Sequence, residues 1–207
     1  MRILITAGPT REYIDDVRYI SNASSGRIGY TIAAACAGRG HKVILISGPT
    51  SLALPAKVKF LRVTSALEML RTVQSLFPKC DALIMTAAVS DYRPRRRIRG
   101  KMRRGERDVF LCLAPNPDIL KRVRARKGKR VVIGFALETE NACKRALRKL
   151  IEKNLDYIVI NSPESMESDK ITCEIMGRDG KVKATLAKQP KQRLATEIVK
   201  LLEEKTL

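Results

Sequence analysis

The chain alternates short, nearly continuous apolar runs with longer stretches in which apolar positions recur every three or four residues. The runs at 2–6, 42–46, 58–63, 81–85, 109–113, 130–134 and 156–160 are rich in Val, Ile and Leu. Continuous apolarity predicts strands buried on both faces, as in a parallel sheet covered by helices. The helical period occupies 26–39, 65–77, 117–127 and 140–153. Strands and helices alternating in this way predict βαβ units with right-handed crossovers, and so an α/β, doubly wound, mostly parallel sheet. Residues 171–176 and 181–186 flank Gly177-Arg178-Asp179-Gly180, a turn sequence that predicts a C-terminal β-hairpin. An amphipathic stretch at 191–204 closes the chain, and no linker or repeat divides residues 1–207 into more than one domain.

Two connections break the alternation. One runs from Ala7 to Ser25, and the other from Thr86 to Asp108. Connections beyond about 12–15 residues are uncommon in a compact domain and often functional. Both follow predicted parallel strands, so both belong at the carboxyl edge of the sheet, where open α/β sheets bind ligands.

Composition narrows the class. Of 207 residues, 44% are apolar and 30% charged, which is enough to bury a core and excludes a disordered chain. No run of about 18 apolar residues predicts a membrane span. The strand pattern starting at Met1 leaves no room for a signal peptide. Cys36, Cys80, Cys112, Cys143 and Cys173 are dispersed without a C-x-x-C pair, which predicts reduced thiols in a cytoplasmic protein. The single histidine, His41, allows neither a histidine-based triad nor a His/Cys metal site. The net charge is +20, and residues 93–130 supply +13 of it: sixteen Lys/Arg against Glu106, Asp108 and Asp118. Such a field suits nucleic acid, polyanions or phosphorylated small molecules.

The candidate chemistry sits in the two long connections, after two later strands and on the helical stretch 140–153. Ser24, Ser25 and Gly26 lead into a predicted helix, whose free N–H groups and dipole suit an anion; the same residues also serve as an ordinary N-cap. In Thr86-Ala87-Ala88-Val89-Ser90-Asp91 the small residues let the backbone approach a ligand, and Asp91 suits Mg²⁺ or a ribose hydroxyl, or else a turn cap or a pair with Arg93. Lys101 is the single lysine among nine cations in 93–107, placed to close over a polyphosphate. Asn116-Pro117-Asp118 caps a helix, Phe135 can stack on a base or fill the core, and Lys149 and Lys153 share a helix face. Neither G-x-G-x-x-G nor G-x-x-x-x-G-K-[ST] is present, so neither a standard dinucleotide site nor a P-loop is supported.

Taken in order, the segments TAGPTREYIDDVRYISNASSGRIGY (6–30), SGPTSL (47–52), TAAVSDYRP (86–94), GKMRR (100–104), NPDIL (116–120), GFALET (134–139) and KNLDYIVIN (153–161) resemble phosphopantothenoylcysteine synthetase, with residues 162–207 similar only in general character. The resemblance implies a Rossmann-like fold, a homodimer, and a ligase joining 4′-phosphopantothenate to L-cysteine. In the bacterial form, CTP with Mg²⁺ activates the carboxylate as an acyl-cytidylate and pyrophosphate leaves; the cysteine amine then displaces CMP. By motif, Asn22 would hold the activated acyl group. Ser24, Ser25 and Gly26 would take the substrate phosphate on a loop supported by Arg18. Ala87 and Ala88 would give backbone contacts to nucleotide and intermediate. Asp91, Asn116, Pro117, Asp118, Ile119, Phe135, Lys149 and Lys153 would form the nucleotide site, with Asp91 also toward Mg²⁺. Lys101 would neutralise charge on the α-phosphate. The family's K-x-K-K reads Lys101-Met102-Arg103-Arg104 here, so only the first position is kept as lysine. The flavin-dependent decarboxylase fused to many relatives has no counterpart in these 207 residues, which predicts a stand-alone synthetase.

Two readings compete. A nucleic-acid-binding protein could use the basic 93–130 segment, although aromatics are 4% of the chain and no RNP-like or helix-turn-helix pattern appears. A nicotinamide-dependent reductase is weakened by the missing glycine fingerprint. The ligase reading leads.

Overall fold

The computed structural model describes residues 1–137, 141–161, 168 and 170–205. Its centre is an eight-stranded sheet. Strands β1 (Arg2–Ala7), β4 (Lys42–Ser47), β5 (Val58–Arg62), β6 (Ala82–Met85), β9 (Val131–Leu137) and β10 (Tyr157–Asn161) are parallel, while β11 (Lys170–Gly177) and β12 (Val182–Pro190) run antiparallel at one edge. The spatial order is β12-β11-β10-β9-β6-β1-β4-β5. Counted along the chain, the six parallel strands lie 3-2-1-4-5-6, the order of the doubly wound dinucleotide-binding fold. Four smaller strands form two hairpin-like pairs outside this sheet: β2 (Arg11–Tyr13) with β3 (Tyr19–Ser21), and β7 (Tyr92–Pro94) with β8 (Leu113–Pro115).

The apolar runs of the inner strands are buried on both faces because alternate side chains meet different helix layers. Ile3, Ile5 and Ala7 face α1 (Arg27–Gly38) and α5 (Lys191–Glu204), packing with Ile32, Cys36, Leu194 and Ile198. Leu4 faces the opposite layer, α2 (Ala66–Leu76), α3 (Ile119–Val123) and α4 (Ala142–Glu152), with Met69, Val73, Leu120 and Leu150. This is the period-two alternation of a strand, satisfied twice. Helix α3 is shorter than the 117–127 expected from periodicity, because the chain tightens into a 3₁₀ turn at Arg124–Arg126.

The 109–113 run does not join the sheet. Only Leu113 is in a strand, β8, and that strand pairs with β7 on a projecting flap. Phe110 is 91% exposed and Val109, Leu111 and Leu113 are also open to solvent. The sheet has no place for this run, since β6 and β9 pair directly with each other.

The basic 93–130 segment is likewise divided. The arginines of 93–107 follow β6 at the carboxyl edge, whereas 121–130 precede β9 at the opposite edge. There Arg130 donates to the carbonyls of Cys80 and Pro78, and Arg124 donates to that of Glu152. Lys127, almost wholly buried, pairs with Asp156 at 2.8 Å; Asp156 also accepts from the Val132 N–H and from Lys205. Burial opposes the charge on Asp156, but Lys127, Lys205 and the Val132 N–H keep its carboxyl below the ordinary value. Truncating this group leaves a buried ammonium without its counter-ion. Asp156→Ala is therefore expected to lower the free energy of unfolding by about 3–5 kcal/mol in urea denaturation. A loss below about 1 kcal/mol would show that Lys127 reaches water.

Candidate functional site

The two long connections leave adjacent strands, β1 and β6, where the crossovers part to opposite sides of the sheet. Their pairing continues beyond it. Thr86 donates its hydroxyl to the Thr6 carbonyl at 2.6 Å, the Ala87 N–H donates to Thr6 Oγ1, Ala88 N–H donates to the Gly8 carbonyl, and Pro9 bridges Ala88. Thr10 accepts from the Ser90 N–H at its side chain and donates its own N–H to the Ala88 carbonyl. This places Ala87 and Ala88 as a fixed floor.

On one side of the floor, Gly26 caps α1 with φ 78°, a left-handed conformation, and a Cβ there would meet Gly8 Cα at 3.0 Å. Helix α1 thus starts hard against the β1 loop, with no acidic residue in its first turn. Asn22 donates from Nδ2 to the Val89 carbonyl at 3.2 Å, joining this loop to the floor. Asn22, Ser24, Ser25, Gly26, Ala87, Ala88, Asp91, Phe135 and Lys149 line a cleft of about 520 Å³. A second cleft of about 250 Å³ is lined by Asn116, Pro117, Asp118, Ile119 and Lys153, and shares Ala87, Val89, Asp91 and Phe135 with the first.

Within the second cleft, Asn116 is a structural clip: Nδ2 donates to the Ser90 carbonyl, Oδ1 accepts from Arg93, and its N–H donates to the Asp91 carbonyl. Arg93 is thus engaged by Asn116 and the Pro115 carbonyl rather than by Asp91. Asp118 caps α3 and pairs with Lys153 at 2.9 Å. Burial works against its ionisation, yet Lys153 and the Lys121 N–H hold its carboxyl below the ordinary value. Asp91 is exposed at the junction of the two clefts, and no group of three or more acidic, His or Cys residues converges among the described residues. A lone carboxylate suits a Mg²⁺ carried chiefly by nucleotide phosphates and water.

Arg18 and Lys101 line neither cleft of the single chain. Arg18 is drawn away by Asp15, a residue that motif reasoning passed over. The buried Asp15 carboxylate accepts from the N–H groups of Val17 and Arg18, from the Arg18 guanidinium at 2.9 Å, and from the N–H of Met102. Arg18 also donates to the Met102 carbonyl, and Asp16 pairs with Arg97 and accepts from the Gly100 N–H. The two long connections are thereby laced together, with Lys101 exposed between two anchored residues. Asn161 and Lys191 also line the first cleft. The GFALET segment ends at Glu138 and Thr139, which lie outside the described residues.

Comparison with known proteins fits this geometry. The family described as "DNA/pantothenate metabolism flavoprotein C-terminal domain" matches residues 1–206. The chain belongs to this family. It is 41% identical over 216 residues to the coenzyme A biosynthesis bifunctional protein CoaBC of Escherichia coli (strain K12), covering 99% of this chain and 53% of that protein. The CoaBC of Bacillus subtilis (strain 168) is 43% identical over 160 residues, 77% of this chain and 39% of that one. The chain thus spans about half the length, or less, of these curated relatives. Among solved structures, a C-terminal domain of CoaBC superposes with a TM-score of 0.85 at 41% identity, over 98% of this chain and 94% of that one. A Cab2 variant in complex with phosphopantothenate-cysteine has a TM-score of 0.82 at 19% identity, over 99% and 87%, a likeness of fold.

The Asp15 clamp has a pH signature. The N–H of Arg18 above all, with those of Val17 and Met102 and the Arg18 charge, outweighs burial and lowers its pKa to about 2. A depressed folded-state pKa contributes stability above the unfolded value near 4, lost as pH falls toward 2. The wild-type Tm is expected to drop across that window, and the Asp15→Asn profile to be flatter there. Parallel Tm profiles would show that Asp15 does not couple the loops.

Proposed function

We propose that this chain is a ligase that condenses 4′-phosphopantothenate with L-cysteine through an acyl-cytidylate, with CTP preferred to ATP, as one synthetase domain in the cytoplasm. The observation that carries the reading is a pair of adjoining clefts that share Ala87, Val89, Asp91 and Phe135, with the start of α1 on one side and the Asn116–Ile119 turn on the other. An acyl-nucleotide mechanism needs two such sites meeting at the reacting atoms. Membership of a family whose relatives are named for coenzyme A biosynthesis supports it.

In this reading the substrate phosphate sits on the N–H groups at the start of α1 beside Ser24 and Ser25. Its carboxylate reaches the floor near Asn22, and a carboxylate oxygen attacks the α-phosphorus of CTP as pyrophosphate departs. The cysteine amine then attacks the acyl carbon, loses a proton, and CMP leaves. Asp91 would hold Mg²⁺ on the triphosphate, where the ion neutralises phosphate charge. Phe135 and the Asn116–Ile119 turn shape the second cleft for the nucleotide, with Lys149 and Lys153 at its phosphates. Arg18 supports the substrate loop through Asp15, and Lys101 approaches the α-phosphate when the laced loops close.

Charge placement argues against the nucleic-acid reading, since the two halves of the basic segment occupy opposite edges of the sheet. The flap argues for a homodimer. Tyr92, Val109, Phe110, Leu111 and Leu113 are all at least 40% exposed, an apolar surface of the kind that marks interaction sites. Light scattering is expected to give twice 23.2 kDa, and a Phe110→Ser protein to shift toward monomer; a wild-type monomer would remove the dimer.

The deciding assay measures pyrophosphate release with Mg²⁺, 4′-phosphopantothenate and cysteine, with CTP against ATP and each component omitted in turn. Release is expected with CTP and phosphopantothenate, and the condensed product only with cysteine. Equal rates with ATP would overturn the nucleotide preference, and silence with both would overturn the ligase. In the same assay Lys101→Ala is expected to slow release about 100-fold at unchanged Tm. Wild-type turnover would remove Lys101 from the mechanism.

A further inference from the structure

Lys191 opens α5 and is 5% exposed. The other buried positions of that helix, Leu194, Ala195, Ile198, Val199 and Leu202, are apolar and face the core. A lysine is rarely this buried, and in a first turn it also opposes the positive end of the helix dipole. A charged side chain buried at the start of a helix otherwise built for packing is a constraint that apolar packing alone does not set.

The constraint is visible in where Lys191 lies. It lines the first cleft together with Arg27, Ile28 and Gly29, the opening turn of α1. Lys191 and Arg27 also border the shallow depression beside Tyr30 and Gln192, so the two form one basic wall. The surfaces shared with the second cleft come from other residues, Asp91 among them, so this wall is separate from the junction where acyl transfer would occur. A helix N-terminus gives N–H donors and a partial positive charge but no formal charge, and a phosphate dianion is bound more strongly when a cation joins them.

We propose that Lys191 is a further substrate-binding residue, contacting the phosphate of 4′-phosphopantothenate across from the start of α1 and giving the cleft its preference for the phosphorylated acid. The inference rests on the ligase reading above. It assigns selectivity to a residue some 165 positions from the serine loop, on the helix that packs against α1.

The test compares wild type, Lys191→Met and Lys191→Arg with 4′-phosphopantothenate and with pantothenate, by pyrophosphate release and by calorimetric titration. Losing one charged phosphate contact is expected to raise the KM and Kd for the phosphorylated acid about 10- to 100-fold in the methionine variant. KM for CTP should stay within about twofold, preference over pantothenate should collapse by a factor similar to the Kd change, and arginine should restore part of it. A structural role would instead lower Tm and raise both KM values together in the methionine variant. Unchanged preference in both variants, with an active wild type, overturns the assignment of Lys191 alone. Wild type that neither binds nor turns over 4′-phosphopantothenate overturns the cleft reading and this inference with it. Should the methionine variant not fold, the arginine variant decides: retained preference supports a charge requirement, and preference lost at wild-type Tm overturns it.

Discussion

Both clefts hang from the continuation of β1–β6 pairing past the end of the sheet. In a doubly wound fold the chain departs in opposite directions from these two strands, which opens a crevice but leaves its backbone without ladder partners. Here Thr6 and Thr10 supply them: their hydroxyls accept from the N–H groups of Ala87 and Ser90, while Ala88 donates its N–H to the Gly8 carbonyl and accepts at its own carbonyl from the Thr10 N–H. The floor is consequently rigid, and its side chains are small enough for a ligand to touch the main chain. Everything proposed to react does so above Ala87 and Ala88, which contribute position rather than chemistry.

The rigid floor makes sense of the polar clips around it. Asn116, Asp15 and Asn22 each bond to a carbonyl or N–H on a different segment, and each bond shortens the list of conformations available to a long connection. Ordering such a loop on ligand arrival costs conformational entropy for every residue fixed. Lacing 14–18 to 98–102 beforehand removes much of that cost, and holds Lys101 between anchors at Gly100 and Met102.

Much of this was legible in the sequence because burial on two faces demands unbroken apolar runs, and six of the seven runs became the parallel strands. The seventh, 109–113, has the same composition and fails, since hydropathy records a demand for burial without saying what will cover it. The clefts were legible through residue types whose chemistry is local: small residues at Ala87 and Ala88, and a glycine at the start of α1. Asp15 was not, although Asp followed by N–H donors two and three residues on is an ordinary turn signal. Its decisive partner, Met102, is 87 residues away, and nothing in either neighbourhood announces the other. The +13 segment misled in a similar way, because charge summed along a chain says nothing about which edge of a sheet each half will reach.

Lys191 illustrates why the C-terminal addition matters to the site. A six-stranded doubly wound core would leave the start of α1 open on its outer side. The antiparallel β11 and β12 extend the sheet beyond β10, and the chain then returns as α5 to pack along α1. That return is held by Leu194, Ile198 and Leu202 in the same core as Ile32 and Cys36, so the first turn of α5 has little freedom to shift relative to α1. A charge carried on such a turn is placed by hydrophobic packing rather than by loop geometry. Apolar contacts far from the cleft therefore set where a lysine lies relative to a helix terminus, the placement on which the proposed recognition of a phosphate depends.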